Sequence, residues 1–131
     1  MAVSFELDEA DHVFRMTFNG ELTDDVMLDA RARFLKLKQA MPAYTNIVDL
    51  SAVTRYEVSS RLIGALAGIP PAQLHEPIVV VAPSDVAYGA SRMFQIMSEQ
   101  VRQGLHVVRT MEEACELLGV KSPKFLPISS P

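Results

Sequence analysis

Two adjacent serines, Ser59 and Ser60, offer the clearest chemical opportunity in this chain. They follow an apolar run, Ile47 to Leu50, broken only by Asp49, and a polar stretch. They precede Leu62, Ile63 and Leu66, which are spaced as one face of a helix. A serine at a helix start accepts a backbone N–H that has no partner inside the helix. The same position carries a partial positive charge, so it stabilises an anion, whether a ligand phosphate or a phosphoryl group on the serine itself. Three uses are open for Ser59 and Ser60: helix cap, anion site, or phosphorylation switch.

A second group lies at Asp85, Tyr88, Gly89 and Arg92. Tyr88 and Arg92 stand one helical turn apart and share a face, so together they could bind an anionic or polar head group. Gly89 would let a backbone or ligand approach closely. The plainer alternative is that Ser84 or Asp85 caps a helix, Tyr88 packs partly and Arg92 is solvated. Asp49 and Ser51, at the end of the preceding buried strand, complete the candidate ligand set. Arg55, Arg61, Arg92 and Arg109 fall near expected strand ends or helix starts and could converge on an anion, or simply face water. Met93 and Met97 could line a lipid-accepting cavity, although methionine is also a common core filler.

Nothing forms a catalytic or metal constellation. His12, His75 and His106 lack metal-ligand spacing, with His12 and His106 expected on strands and His75 in a loop. Cys115 falls on the apolar side of an expected helix, where a thiol is inert. There is no G-x-S-x-G, P-loop or dinucleotide-binding glycine fingerprint. The expectation is a non-enzyme with no cofactor and no metal.

The elements that must position these groups follow from periodicity. Val3, Phe5 and Leu7, then Phe14, Met16 and Phe18, alternate as two half-buried strands, with Asp8 to Asp11 as the turn. Gly20 is expected to end the second strand and Thr23 to cap a helix whose face is Val26, Met27, Ala30, Phe34, Leu37 and Met41, with Pro42 at its end. Asp24 and Asp25 near its start, and Lys36 and Lys38 near its end, suit the helix dipole. Asn46 to Leu50 reads as a buried strand, then a helix over about 58 to 67 stopped by the GIPP of Gly68 to Pro71. Next come a strand at Ile78 to Ala82, a helix carrying Ala90, Met93, Phe94, Met97 and Val101, a strand at Leu105 to Val108, and a helix capped by Thr110 and Glu113. The order β-β-α-β-α-β-α-β-α implies an α/β fold with a mixed, mostly parallel sheet and packed helices. Residues 1–118 are expected to form the domain, and 119–131, rich in proline and serine, an extended tail packed through Phe125 and Leu126.

The chain has 131 residues, 49% of them hydrophobic and 21% charged, with a net charge of −4. That is one domain able to build a core without disulfides, and it argues against a nucleic-acid partner. A single cysteine, no signal-like N-terminus and no long apolar run suggest a cytoplasmic protein without a transmembrane segment. Self-association is a further expectation, since the apolar groups of GIPP and the hairpin edge could pair two chains.

The element order, with DLSAVTRYEVSSRLIGAL at its centre, resembles the STAS domain over about residues 3 to 118. In anti-anti-sigma factors of that family a strand ends in Asp-Leu, matched here by Asp49 and Leu50. An Asp-Ser-Ser-Gly motif then opens the next helix, and a kinase phosphorylates one of its serines. Ungapped, Glu57, Val58, Ser59 and Ser60 fall on that motif; one inserted residue puts Val58, Ser59, Ser60 and Arg61 there. Both registers depart from the pattern, which weighs against kinase recognition. GELTDD near residue 20, IVDLS near 50, VVVAPSDVAYGASRMFQ from Val79 and VVRTMEEACELL from Val107 resemble more closely the small bacterial SpoIIAA-like proteins, a group that joins the STAS fold to SEC14-like lipid binders. The resemblance implies a regulatory or protein-interaction module, with a small anionic or lipid-like ligand as the alternative.

Overall fold

The structure is a computed structural model that describes residues 2–41, 43–69, 77–102 and 104–128. Two strands, β1 (Val3–Asp8) and β2 (Val13–Thr23), form an antiparallel hairpin. Its turn is held by the Asp8 carboxylate, which accepts the Asp11 N–H at 3.0 Å, and places His12 at a left-handed φ of 56°. His12 was expected on a strand and instead belongs to this turn, stacked on Tyr44. The expectations on Pro42, Pro70, Pro71 and His75 lie outside the described residues.

The chain continues through α1 (Asp24–Gln39), β3 (Thr45–Glu57), α2 (Ser60–Ala67), β4 (Ile78–Val81), α3 (Asp85–Met97), β5 (Leu105–Val108), α4 (Met111–Leu118) and β6 (Leu126–Ile128). Every helix starts on a hydroxyl cap. Thr23, Ser59, Ser84 and Thr110 each accept the backbone N–H three residues on, at 3.1 to 3.3 Å. Gly119 closes α4 in the left-handed conformation, with φ 71°, that a Cβ would strain.

The six strands form one sheet in the order β5-β4-β3-β2-β1-β6. The steps from β2 to β5 are parallel and those at β1 antiparallel, so this is an α/β domain with a mixed sheet. Side chains alternate across it. One face presents Phe5, Phe14, Met16, Phe18, Leu50 and Val80, on which α1, α2 and α3 pack. The other presents Val13, Ile47, Val79 and Val81 to Ala114 of α4.

Two strands outrun their expected ends. β2 passes through Gly20, which sits at φ 78° beside irregular register, and runs on to Thr23. β3 extends beyond Leu50 to Glu57, opposite Asn19 to Thr23. The polar stretch SAVTRYE is thus strand, because each segment supplies the other's hydrogen-bonding partner and because Leu22, Val53 and Tyr56 turn inward. The tail also joins the sheet. Residues 126–128 pair with β1, and the Lys124 N–H donates to Asp8 at 2.9 Å. Phe125 packs inward, whereas Leu126 is 69% exposed.

Candidate functional site

Between the helical layer and the sheet lies a cavity of about 230 Å³, partly open to solvent. Parallel strands in register build its floor. One row runs Met16–Val48–Val80 and the next Asn46–Ile78–Leu105, all pointing to the same face. The walls come from Met27, Phe34 and Leu35 of α1, Ile63 and Leu66 of α2, and Ala90 and Phe94 of α3. Apolar surface dominates, as in small-molecule sites generally.

A few polar groups interrupt it: Arg31, Lys38, Asn46, Tyr56, Ser91 and Arg102. Asn46 is buried in the floor and gives its Nδ2 to the Pro77 carbonyl at 3.5 Å. Lys38 is only 3% exposed, with its ammonium over the rings of Phe14 and Tyr44 at 5.2 and 5.9 Å. Arg102 spans the C-terminal end of α2, donating to the carbonyls of Leu66 and Ala67 at 3.4 and 3.2 Å, with its guanidinium over Phe94. Burial, and then the charge of Arg31 nearby, push the Arg102 pKa below the usual arginine value. Burial, with the Asp24 charge adding to it, pushes the Tyr56 hydroxyl up to about 12, so it stays a neutral phenol.

The residues singled out from sequence lie elsewhere. Asp49 points to the opposite face, where it accepts the Ser51 N–H at 2.9 Å and sits 3.9 Å from Arg15. Arg15 binds Glu6 directly and stacks over Phe125 at 4.0 Å, while Ser4 and Thr17 also donate to Glu6. Phe125 of the C-terminal segment lies against this charged network. Ser51 is exposed.

At the ends of β4 and β5, Asp85 pairs with Arg109 at 2.9 Å, and Arg109 lies over the Tyr88 ring at 4.0 Å. Arg109 also donates to the Pro83 carbonyl at 3.1 Å. Arg92 is exposed and donates to Gln95, one turn along α3. A Cβ on Gly89 would meet nothing within 4 Å, so no close approach requires glycine there. Asp85 and Tyr88 are therefore brought together, by Arg109, and none of the six ligand candidates lines the cavity.

Ser59 caps α2, and its N–H and Oγ–H both go to Asp24, whereas Ser60 is exposed at the first position of the helix. α2 and α3 both contribute to the cavity, and the methionines that line it are Met16 and Met27 rather than Met93 and Met97. Among the described residues no group of His, Cys, Asp and Glu could hold a metal ion, and no helix is long and apolar enough to cross a membrane.

Sequence reasoning missed Arg31, Lys38 and Arg102. A signal for two of them was present. Arg31 stands four residues after Met27, and Lys38 four after Phe34, so both cations fall inside the apolar stripe of α1. A charge inside such a stripe is the anomaly to follow. The chain matches no protein-family model and no curated protein sequence, so the chemistry of the cavity itself has to speak for its use.

Proposed function

We propose that this domain is a non-enzymatic module that binds a small, largely apolar ligand in the cavity between α1, α2, α3 and the sheet. The observation that carries the reading is the cavity itself, about 230 Å³ of mostly apolar space with a few polar groups. A dry engineered cavity of roughly 150 Å³ already accepts a benzene molecule. A core of this size would normally collapse such a void, because each unfilled volume forfeits packing energy. The described lining residues include no carboxylate, histidine or cysteine, which supports binding over catalysis. The resemblance to STAS and SEC14-like proteins, carried by the stretch from Asp49 to Leu66 and by Ala82 to Gln95, supports the same reading and adds a regulatory role for the loaded domain.

Native mass spectrometry of the protein from its own cells, with displacement of the neutral dye Nile red as a second measurement, tests this. A removable adduct of low mass and a saturable dye site are expected. A chain that carries no adduct and binds no dye ends the proposal.

A phosphorylation switch is the second reading, and the exposure of Ser60 at the start of α2 favours that residue as acceptor. Ser59 is tied into the Asp24 carboxylate. Intact-mass measurement across growth conditions tests it, and an unmodified chain throughout would remove it.

A further inference from the structure

The cavity lining contains Arg31, Lys38 and Arg102 and, among the described residues, no acidic side chain, in a chain whose net charge is −4. Arg31 and Arg102 are only partly exposed, so they stand where the cavity meets solvent. Neither has a carboxylate partner among the described residues. Arg102 spends one nitrogen on the α2 carbonyls, and a guanidinium has five N–H donors, so donors remain on its fork. Two neighbouring cations beside an apolar space repel each other until an anion sits between them. The Arg102 pKa is lowered in part by Arg31, in keeping with that repulsion.

We infer that the cavity takes a single-chain monocarboxylate, its hydrocarbon on the floor of Met16, Val48 and Val80 and its carboxylate between Arg31 and Arg102. The planar guanidinium fork matches a carboxylate, and charge-assisted pairs of this kind are the strong ones. Scaling from a benzene held in roughly 150 Å³, the enclosed part has room for about nine non-hydrogen atoms. That length is a medium acyl chain, and two long chains would not fit. The inference rests on the proposed ligand-binding function and names the class of ligand.

The test compares decanoate with its neutral counterpart 1-decanol, by displacement of Nile red from the full chain at low salt. Decanoate should bind at least tenfold more tightly. Arg31→Gln should cut that preference at least threefold, the Arg102 fork remaining, and Arg31→Lys, which keeps the charge, should restore part of it. Circular dichroism confirms that the variants are folded; Arg31 is the residue to vary because Arg102 also holds the end of α2. Equal binding of decanoate and decanol, or a preference undiminished in Arg31→Gln, overturns the head-group inference and leaves the cavity's ligand function standing. Binding of neither compound overturns both.

Discussion

Ser59 gives its backbone N–H and its hydroxyl to the two oxygens of the Asp24 carboxylate, at 2.6 and 2.7 Å, while its Oγ also accepts the Leu62 N–H at 3.1 Å. The first turn of α1 is thereby fastened to the first turn of α2, the short helix that roofs the cavity with Ile63 and Leu66. Arg102 holds the other end of α2 through the Leu66 and Ala67 carbonyls. Polar contacts thus fix both ends of a helix too short to be stable alone.

The acid limb of stability should report this fastening. Hydrogen bonds from the Ser59 side chain and then its backbone lower the Asp24 pKa from the ordinary 3.8. A depressed folded-state value means the unfolded chain binds more protons, so the contribution is present above 3.8 and is lost as pH falls through the lower folded value. Asp24→Asn should flatten that limb in part. Asp8, lowered by backbone N–H groups of Asp11 and Lys124, keeps the remainder. Urea unfolding from pH 6 downward measures the difference, and an unchanged slope would show that the contact contributes nothing in solution.

The two serines should separate cleanly. Ser59→Ala removes a cap and a donor to a carboxylate, and the expected loss is about 1–2 kcal/mol. Ser60→Ala, at an exposed first helical position, should stay within about 0.5 kcal/mol of the parent. Ser60→Asp places an acid in the first turn of α2 and should be neutral or mildly stabilising. Ser59→Asp sets a second carboxylate against Asp24 and should destabilise. Four denaturation curves decide the pattern.

Gly64 sits in the middle of α2 without a strained backbone, and a Cβ there would come within 3.2 Å of only the Met97 terminal methyl. Met97 is half exposed and flexible, so it can move aside. Gly64→Ala should therefore stabilise the domain by about 0.5–1 kcal/mol through the unfolded chain's lost entropy. A lower midpoint in thermal unfolding would mean that Met97 cannot yield.

Phe125 links the C-terminal segment to the charged network of Arg15, Glu6 and Asp49. Phe125→Ala removes a cation–π contact and partial apolar burial, with an expected cost of about 1–2 kcal/mol. Hydrogen exchange should quicken first at Phe5 and Leu7, whose strand carries β6. Exchange that stays slow at β1 would show that β6 pairing does not depend on this anchor.

The local signals in the sequence were strong. Thr23, the Ser59–Ser60 pair, Ser84 or Asp85, and Thr110 could be read as helix starts because a cap involves only residues three apart, and the inward rows of β1 and β2 because alternation is a property of one strand. The order of the first nine elements follows from those signals alone. The continuation of β3 from Ser51 to Glu57 could not be read, since a polar segment is strand only when a neighbour such as Asn19 to Thr23 offers its N–H and C=O groups. The pairing of Leu126 to Ile128 with β1 has the same origin. The serine stretch shows the division most clearly. Its sequence determined that a helix would begin at the Ser59–Ser60 pair; only the tertiary structure decided that Ser59 is the cap and that Asp24, thirty-five residues earlier, would claim its hydroxyl. Arg31 of α1 and Arg102, in the turn after α3, likewise line one cavity, a long-range arrangement that no spacing along the chain encodes.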